Sequence, residues 1–312
     1  MKKIAITTGD PNSISPEIII KALKKLDLPQ EQVVIIGNTE IFEYYSNNYN
    51  LKLDKNYEII EVPFKGENIK PGKETKEAGD FAYQALVKAC NLAKEGVIKA
   101  IVTAPISKHS INLAGHHFEG QTEILEKNLA HSGQKAEMLF ISDKLWVMLL
   151  TRHVAIKDVP KLIDKNLIIE KAKRLNNSLK NNFNIKAPKL ALCALNPHAG
   201  EDGLFGEEEM QEYIPAIEEL KENGINIQGP FPADAIFAHF EEKDFDCYIA
   251  SYHDQGLIPV KLLGQSTSVN TTIGLDLIRT SPAHGTAFDI AGKILADETS
   301  MISAIKTALK SI

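Results

Sequence analysis

KKIAITTGDPNSISPEIIIKALKKL, residues 2–26, holds the transition on which the reading of the fold turns. Residues 3–8 read as a strand buried on both faces, because apolar residues follow one another without alternation. GDPNS then supplies turn residues. Ser15 is placed to cap a helix, with Pro16 at its first position and Glu17 in its first turn. A buried strand passing through a tight turn into a helix is half of a β–α–β unit, so the question is whether the pattern recurs.

It does. QVVIIG (32–37) and YEIIEV (57–62) read as strands. Between 75 and 95, Ala78, Phe81, Ala82, Ala85, Leu86, Ala89, Leu92 and Ala93 recur at helical spacing, and Gly96 stands where the helix should stop. Strands follow at KAIVTAPI (99–106), MLFIS (138–142), LWVMLLT (145–151), KLALCAL (189–195) and DCYIAS (246–251), with helices near 159–180 and 206–223. Buried strands alternating with helices predict an α/β fold with largely parallel sheets. A chain of 312 residues is long enough for two domains or one large α/β unit. Internal repeats, low-complexity tracts and an obvious linker are absent from the sequence.

Composition narrows the function. Hydrophobic residues make up 44% and charged residues 24%, with a formal net charge of -6, so no basic stripe invites nucleic acid. The apolar run at the N-terminus is broken by Thr7, Thr8 and Asp10, too early for a signal-peptide core. LWVMLL falls far short of the roughly 20 apolar residues that span a bilayer. Cys90, Cys193 and Cys247 are widely separated, as buried cysteines of a reduced cytoplasm would be. The expectation is a cytoplasmic protein binding neither nucleic acid nor membrane.

Polar, non-periodic stretches repeatedly follow strands: TTGD (7–10), TAPISKH (103–109), LTRH (150–153), LNPHAGEDG (195–203) and SYHDQG (251–256). The carboxyl ends of strands line the ligand crevice in open α/β sheets, so these loops are expected to build the site. His153, His198 and His253 share this setting. Three imidazoles with an open position suit a divalent metal, although the spacing alone fits three unrelated histidines equally. Asp254 is placed to orient an imidazole. Asp234, in the apolar run GPFPADAIF (229–237), suits a structural or a catalytic role. Neither a GxGxxG nor a GxxxxGK[ST] motif occurs. RTSPAHGTAFDIAGK (279–293) instead packs small residues where backbone can approach a ligand, with Asp289 able to accept from ribose hydroxyls.

HGTAFDIAGK (284–293) resembles the adenosine-binding loop of the isocitrate and isopropylmalate dehydrogenases. TAPISK, GQTEIL, LLTRHVAIKDV, LNPHAGEDGLFGEEE, GPFPADAIF, YHDQGLIPVK and IGLDLIRTSPAHGTA resemble, in order, the 4-hydroxythreonine-4-phosphate dehydrogenase family of vitamin B6 biosynthesis. The resemblance runs from TTGDPNSISPE to DIAGK. It implies two α/β/α lobes with a central cleft: residues 1–125 plus 265–312 for the cofactor, and 126–264 for metal, substrate and dimerisation. It further implies that His153, His198 and His253 bind one divalent ion (zinc, magnesium, manganese or cobalt) at a homodimer interface. Gln121, Thr122, Lys261, Asn270 and Arg279 would hold the substrate. His284, Gly285 and Asp289 would hold the cofactor, with the Asp289 carboxylate favouring NAD over NADP.

The implied reaction oxidises the secondary alcohol of a small phosphorylated amino acid and then releases carbon dioxide. A single Lewis acid serves both steps. Asp234 is the expected proton acceptor, with Asp254 or a metal-bound hydroxide as the alternatives. Two departures stand out. The family's GDPAGIGPE is GDPNSISPE here, with Ser13 and Ser15 for glycines, and its GHTE is GQTE, with Gln121 for a histidine. Glutamine hydrogen-bonds anions but carries no charge. A dehydrogenase for another hydroxy acid therefore remains an alternative, as does a metal-independent acyltransferase-like or binding protein.

Overall fold

The computed structural model describes residues 3–312, without the side chain of Gln265. In it β1 (Ile4–Thr7), β2 (Val33–Gly37), β3 (Glu58–Glu61) and β4 (Ala100–Thr103) alternate with α1 (Ser15–Leu26), α2 (Thr39–Tyr49) and α3 (Lys76–Lys94). Helices α4 (Lys108–Leu113) and α5 (Gln121–Leu129) follow. Then come β5 (Glu137–Ile141), β6 (Trp146–Leu149), α6 (Val159–Leu162), α7 (Lys165–Phe183), β7 (Lys189–Cys193) and α8 (Ile214–Glu222). The order continues with β8 (Asn226–Phe231), α9 (Ala233–Ala238), β9 (Cys247–Ala250), α10 (His253–Gly264), β10 (Val269–Ile273), β11 (Ile278–Pro282) and α11 (Thr299–Lys310). The chain divides into two units, one running to Ala136 and resuming over Val269–Ile312, the other Glu137–Ser268. The junctions therefore lie after Ala136 and after Ser268, where the sequence suggested 125 and 264.

In the first unit the strand order is β3-β2-β1-β4-β11-β10. All neighbours are parallel except β10 and β11. The central strand β1 is buried along its whole length, which is why its sequence is apolar without alternation. Helix α3 covers the sheet with Phe81, Ala85, Leu86 and Ala89, each at most 1% exposed. Burying a side chain the size of Phe81 or Leu86 contributes roughly 1.5–3 kcal/mol. Thr75 caps this helix by accepting from the Ala78 N–H, and Gly96 follows it at φ 73°. Gly79 sets how closely α4 approaches: a Cβ there would lie 2.0 Å from the Ser110 carbonyl oxygen.

In the second unit the order is β5-β6-β9-β7-β8, with β5 and β6 antiparallel and the rest parallel. Its core joins Val147, Leu149, Ala191, Cys193, Tyr248 and Ala250 from the strands to Leu257 and Val260 of α10. All three cysteines are buried and unpaired. Among the described residues no helix is long and apolar enough to cross a membrane.

Two local expectations are overturned. Ser15 does not cap α1; the N-cap is Ile14, and Ser15 is the first helical residue. Its hydroxyl is committed elsewhere, donating to the Pro105 carbonyl at 2.8 Å. SYHDQG is not a loop, because helix begins at His253 and runs past Pro259. Gly256 makes this possible, since a Cβ there would fall 2.7 Å from Leu149 Cδ2 and 2.9 Å from Val147 Cγ1. Close seating on the sheet outweighs the hydrogen bond that Pro259 removes.

Candidate active site

The five polar stretches divide between the units: TTGD and TAPISKH in the first, LTRH, LNPHAGEDG and SYHDQG in the second. Each set lies at the carboxyl edge of its own parallel strands. In the second unit β6, β9 and β7 are neighbours, so the loops bearing His153 and His198 and the start of α10 with His253 follow adjacent strands. The rings of His153 and His253 come to 5.7 Å between centroids. His253 Nδ1 lies 2.7 Å from Asp254 Oδ1. A carboxylate accepts only, so Nδ1 is the donor in this contact and Asp254 orients the ring. Both histidines line a hollow of about 400 Å³ with Arg152, Tyr252 and Asp254.

His198 is held differently. It opens a run in which His198, Ala199, Glu201 and Asp202 all have positive φ, along with Gly200 and Gly203. Each non-glycine residue in that region costs on the order of 1 kcal/mol, so something must over-determine the loop. Glu209 does so. Its carboxylate is 1% exposed and accepts from the Leu195 and Asn196 N–H groups, both at 2.8 Å, and from Asn196 Nδ2 at 2.9 Å. The His198 ring lies beside Phe205, 6.1 Å between centroids. Among the described residues no three His, Cys, Asp or Glu side chains of one chain converge on a metal-sized point. The donor chemistry of His153 and His253 fits a divalent ion, but one chain brings together two of the three expected imidazoles.

Asp234 stands in the first turn of α9 and, with Asp254, Tyr252 and Gln255, lines a second hollow of about 310 Å³. The two carboxylates expected as proton acceptors thus share one depression. Lys261 projects from the last turn of α10 and is exposed.

In the first unit the chemistry centres on Arg279 of β11, which is 4% exposed. Its Nε donates to Thr103 Oγ1 at 2.8 Å, Nη2 to Gln121 Oε1 at 2.7 Å and Nη1 to Thr272 Oγ1 at 3.5 Å. All three acceptors are neutral. Burial pushes the guanidinium down to about 9 from its ordinary value, with the charge of Glu123 opposing. A buried cation held by neutral oxygens calls for an anionic ligand. Gln121 Nε2 donates to the Ala104 carbonyl at 3.2 Å, which fixes the orientation of the amide. Thr122 is buried beside it at 3% exposure, and Asn270 Oδ1 is buried with no hydrogen-bond partner. Thr103 and Thr272 were not legible as site residues, since threonine in a strand is unremarkable.

Ser13 and Ser15 show what their departure from glycine does. Ser13 Oγ donates to the Asp10 carbonyl at 2.7 Å and accepts from the Ser15 N–H at 3.0 Å, while Ser15 Oγ reaches Pro105. The Tyr45 hydroxyl donates to the Ser13 carbonyl, and the Ile14 N–H donates to the Thr286 carbonyl. Ser15 thus ties the loop after β1 to the end of β4, and the Ile14 backbone ties it to the loop after β11. That last loop carries His284, Gly285 and Asp289. A Cβ on Gly285 would meet nothing within 4 Å, and His284 and Asp289 are exposed, so the backbone there is open to a nucleotide. This fits a dinucleotide cofactor.

A family model described as pyridoxal phosphate biosynthetic protein PdxA matches residues 7–308. The chain is 39% identical to the 4-hydroxythreonine-4-phosphate dehydrogenase of Sulfurihydrogenibium sp., over 99% of this chain and 98% of that one. It is 38% identical to the D-threonate 4-phosphate dehydrogenase of Salmonella typhimurium, over 99% and 98%. The crystal structure of 4-hydroxythreonine-4-phosphate dehydrogenase from Klebsiella pneumoniae superposes with a TM-score of 0.89, at 34% identity and 99% coverage of both chains. A β-decarboxylating dehydrogenase from Thermococcus kodakarensis, at 14% identity, TM-score 0.50 and coverage of 98% of this chain and 82% of that one, shares the fold.

Proposed function

The chain belongs to the PdxA family of pyridoxal phosphate biosynthetic proteins, and from that premise we propose that it is a nicotinamide-dependent dehydrogenase. Its substrate is 4-phosphooxy-L-threonine, oxidised and decarboxylated to 3-amino-2-oxopropyl phosphate. The observation that carries this reading is Arg279, a buried guanidinium with three neutral partners waiting for an anion.

Arg279, with Asn270 and Lys261, holds the substrate's anionic groups. Gln121 and Thr122 fix its orientation. His153, His198 and His253 hold a divalent ion, zinc or cobalt suiting imidazole best and magnesium or manganese remaining possible, with the set completed between two subunits. Such an ion supplies Lewis acidity to the substrate oxygens. The protein works as a cytoplasmic homodimer; the dimer is supported by where the apolar surface lies, since among the described residues nine of the twelve exposed large hydrophobics, Ile156, Leu204 and Leu262 among them, belong to the second unit. Asp234 takes the alcohol proton, with Asp254 the alternative and otherwise the orienting partner of His253. Gly285 and His284 would hold NAD, which would supply the hydride acceptor. The exposed Asp289 carboxylate disfavours the 2′-phosphate of NADP.

A second reading, oxidation of a phosphorylated hydroxy acid, is favoured by Gln121 and by the Salmonella relative named for D-threonate 4-phosphate. One assay separates them: purified protein with either substrate, NAD or NADP, with and without chelator, followed by reduced-cofactor absorbance. The reading expects turnover of 4-phosphooxy-L-threonine with NAD, abolished by chelator and restored by zinc or cobalt. Faster turnover of D-threonate 4-phosphate would establish the second reading, and faster reduction of NADP would refute the role of Asp289.

A further inference from the structure

His153 and His198 stand on loops and His253 opens α10, so the placement of all three depends on what joins the ends of β6, β7 and β9. Ser251, the first residue after β9, is fully buried. Its carbonyl accepts from the Thr151 hydroxyl at 2.8 Å and the Thr151 N–H at 3.2 Å, two residues before His153. Its own hydroxyl donates to the Cys193 carbonyl at 3.3 Å, at the end of β7, on the way to His198. A carbonyl only accepts, so the single Ser251 hydroxyl hydrogen is spent there. The buried Tyr213 hydroxyl, 2.8 Å from Ser251 Oγ, must then be the donor in that contact.

Gln255 closes the frame. The Ser251 N–H donates to its Oε1 at 2.7 Å, and its Nε2 donates to the Ala194 carbonyl at 2.8 Å. Ladder pairing stops at the ends of β9 and β7, and these side chains replace it. Tyr213 and Glu209 both come from the one π turn, Glu209–Tyr213, that opens into α8. Four bonds thus reach Ser251 and Gln255, on either side of His253, from the strands that lead to His153 and His198.

We infer that Ser251, Gln255 and Tyr213 are positioning residues that set where each protomer presents His153, His198 and His253, whichever subunit completes the ligand set around an ion. None of the three is itself a proposed ligand. The inference rests on the proposed metal role of those histidines. Outer partners that orient ligands typically cost ten- to hundredfold in metal affinity when removed.

The test uses the full-length protein, cobalt(II) titration and far-UV circular dichroism, with Ser251→Ala, Gln255→Leu and Tyr213→Phe. Gln255→Leu and Ser251→Ala are expected to weaken cobalt binding ten- to hundredfold and shift the visible d–d bands, with the helical signal retained. Tyr213→Phe, which keeps the Ser251–Cys193 bond, is expected to weaken binding less. A merely structural role would lower the melting temperature while leaving the cobalt spectrum alone. If the folded variants bind cobalt within twofold of wild type with unchanged bands, the inference is overturned. Should Ser251→Ala fail to fold, the other two variants decide by the same criterion. Wild type that takes up no cobalt would overturn the metal reading and this inference together.

Discussion

Asp10, in the TTGD loop at the carboxyl end of β1, is fully buried. Oδ1 accepts the Asn12 N–H at 2.9 Å, whereas Oδ2 is buried without a hydrogen-bond partner. Burial therefore dominates, and it raises the carboxyl from its ordinary 3.8 to about 6; the Asn12 N–H and the nearby Ser110 hydroxyl oppose it, and Glu74 adds a smaller repulsion. The folded state holds this proton more tightly than the unfolded chain. Its contribution to stability is complete below pH 3.8 and is lost as pH rises through about 6. At about 1.4 kcal/mol per pH unit, the loss amounts to roughly 3 kcal/mol by pH 8. Asp10→Asn keeps an acceptor for Asn12 and cannot ionise. Relative to wild type, the variant is expected to gain about 2.5 kcal/mol between pH 4 and pH 8, nearly all of it before pH 7. Urea unfolding at several pH values measures this. The probe should be far-UV circular dichroism, because the single tryptophan, Trp146, lies in the other unit. A stability difference between variant and wild type that stays flat from pH 4 to pH 8 would refute the linkage argument.

Gln121→Leu strands one Arg279 N–H and the Ala104 carbonyl, so KM for the phosphorylated substrate should rise roughly tenfold or more with a smaller change in kcat, read from initial rates. Equal losses in kcat and kcat/KM would instead place Gln121 in the transition state. Gly256→Ala forces a methyl against Leu149, Val147 and Ala250, and should cost about 1–3 kcal/mol in urea unfolding followed by Trp146 fluorescence. An unchanged midpoint would mean that α10 shifts without cost.

The strands were legible because a strand buried on both faces is apolar along nearly its whole length, and IAIT, VVIIG and AIVT are, with Thr7 and Thr103 only at their carboxyl ends. Helix α3 was legible for the complementary reason, an apolar stripe at helical spacing ended by Gly96. Helix α10 was not. Its opening residues, glycine and proline argue locally for a loop, and only contact with Leu149, Val147 and Ala250 makes helix the lower free energy. Strands β8, β10 and β11 were passed over because threonines, prolines and charges interrupt their apolar pattern. Ser15 looked like a cap because local chemistry cannot show that its hydroxyl is engaged by Pro105, 90 residues away.

By itself the sequence determined which residues bear chemistry and that they follow strands, since side-chain identity and apolar pattern are local properties. The tertiary structure alone decided their partners. Gln121 meets Arg279 across 158 residues, Ser251 joins Thr151 and Cys193 across 100 and 58, and Asp10 loses its water. Hydrogen-bond geometry and desolvation act through space, so spacing along the chain carries no record of them until the sheets are assembled.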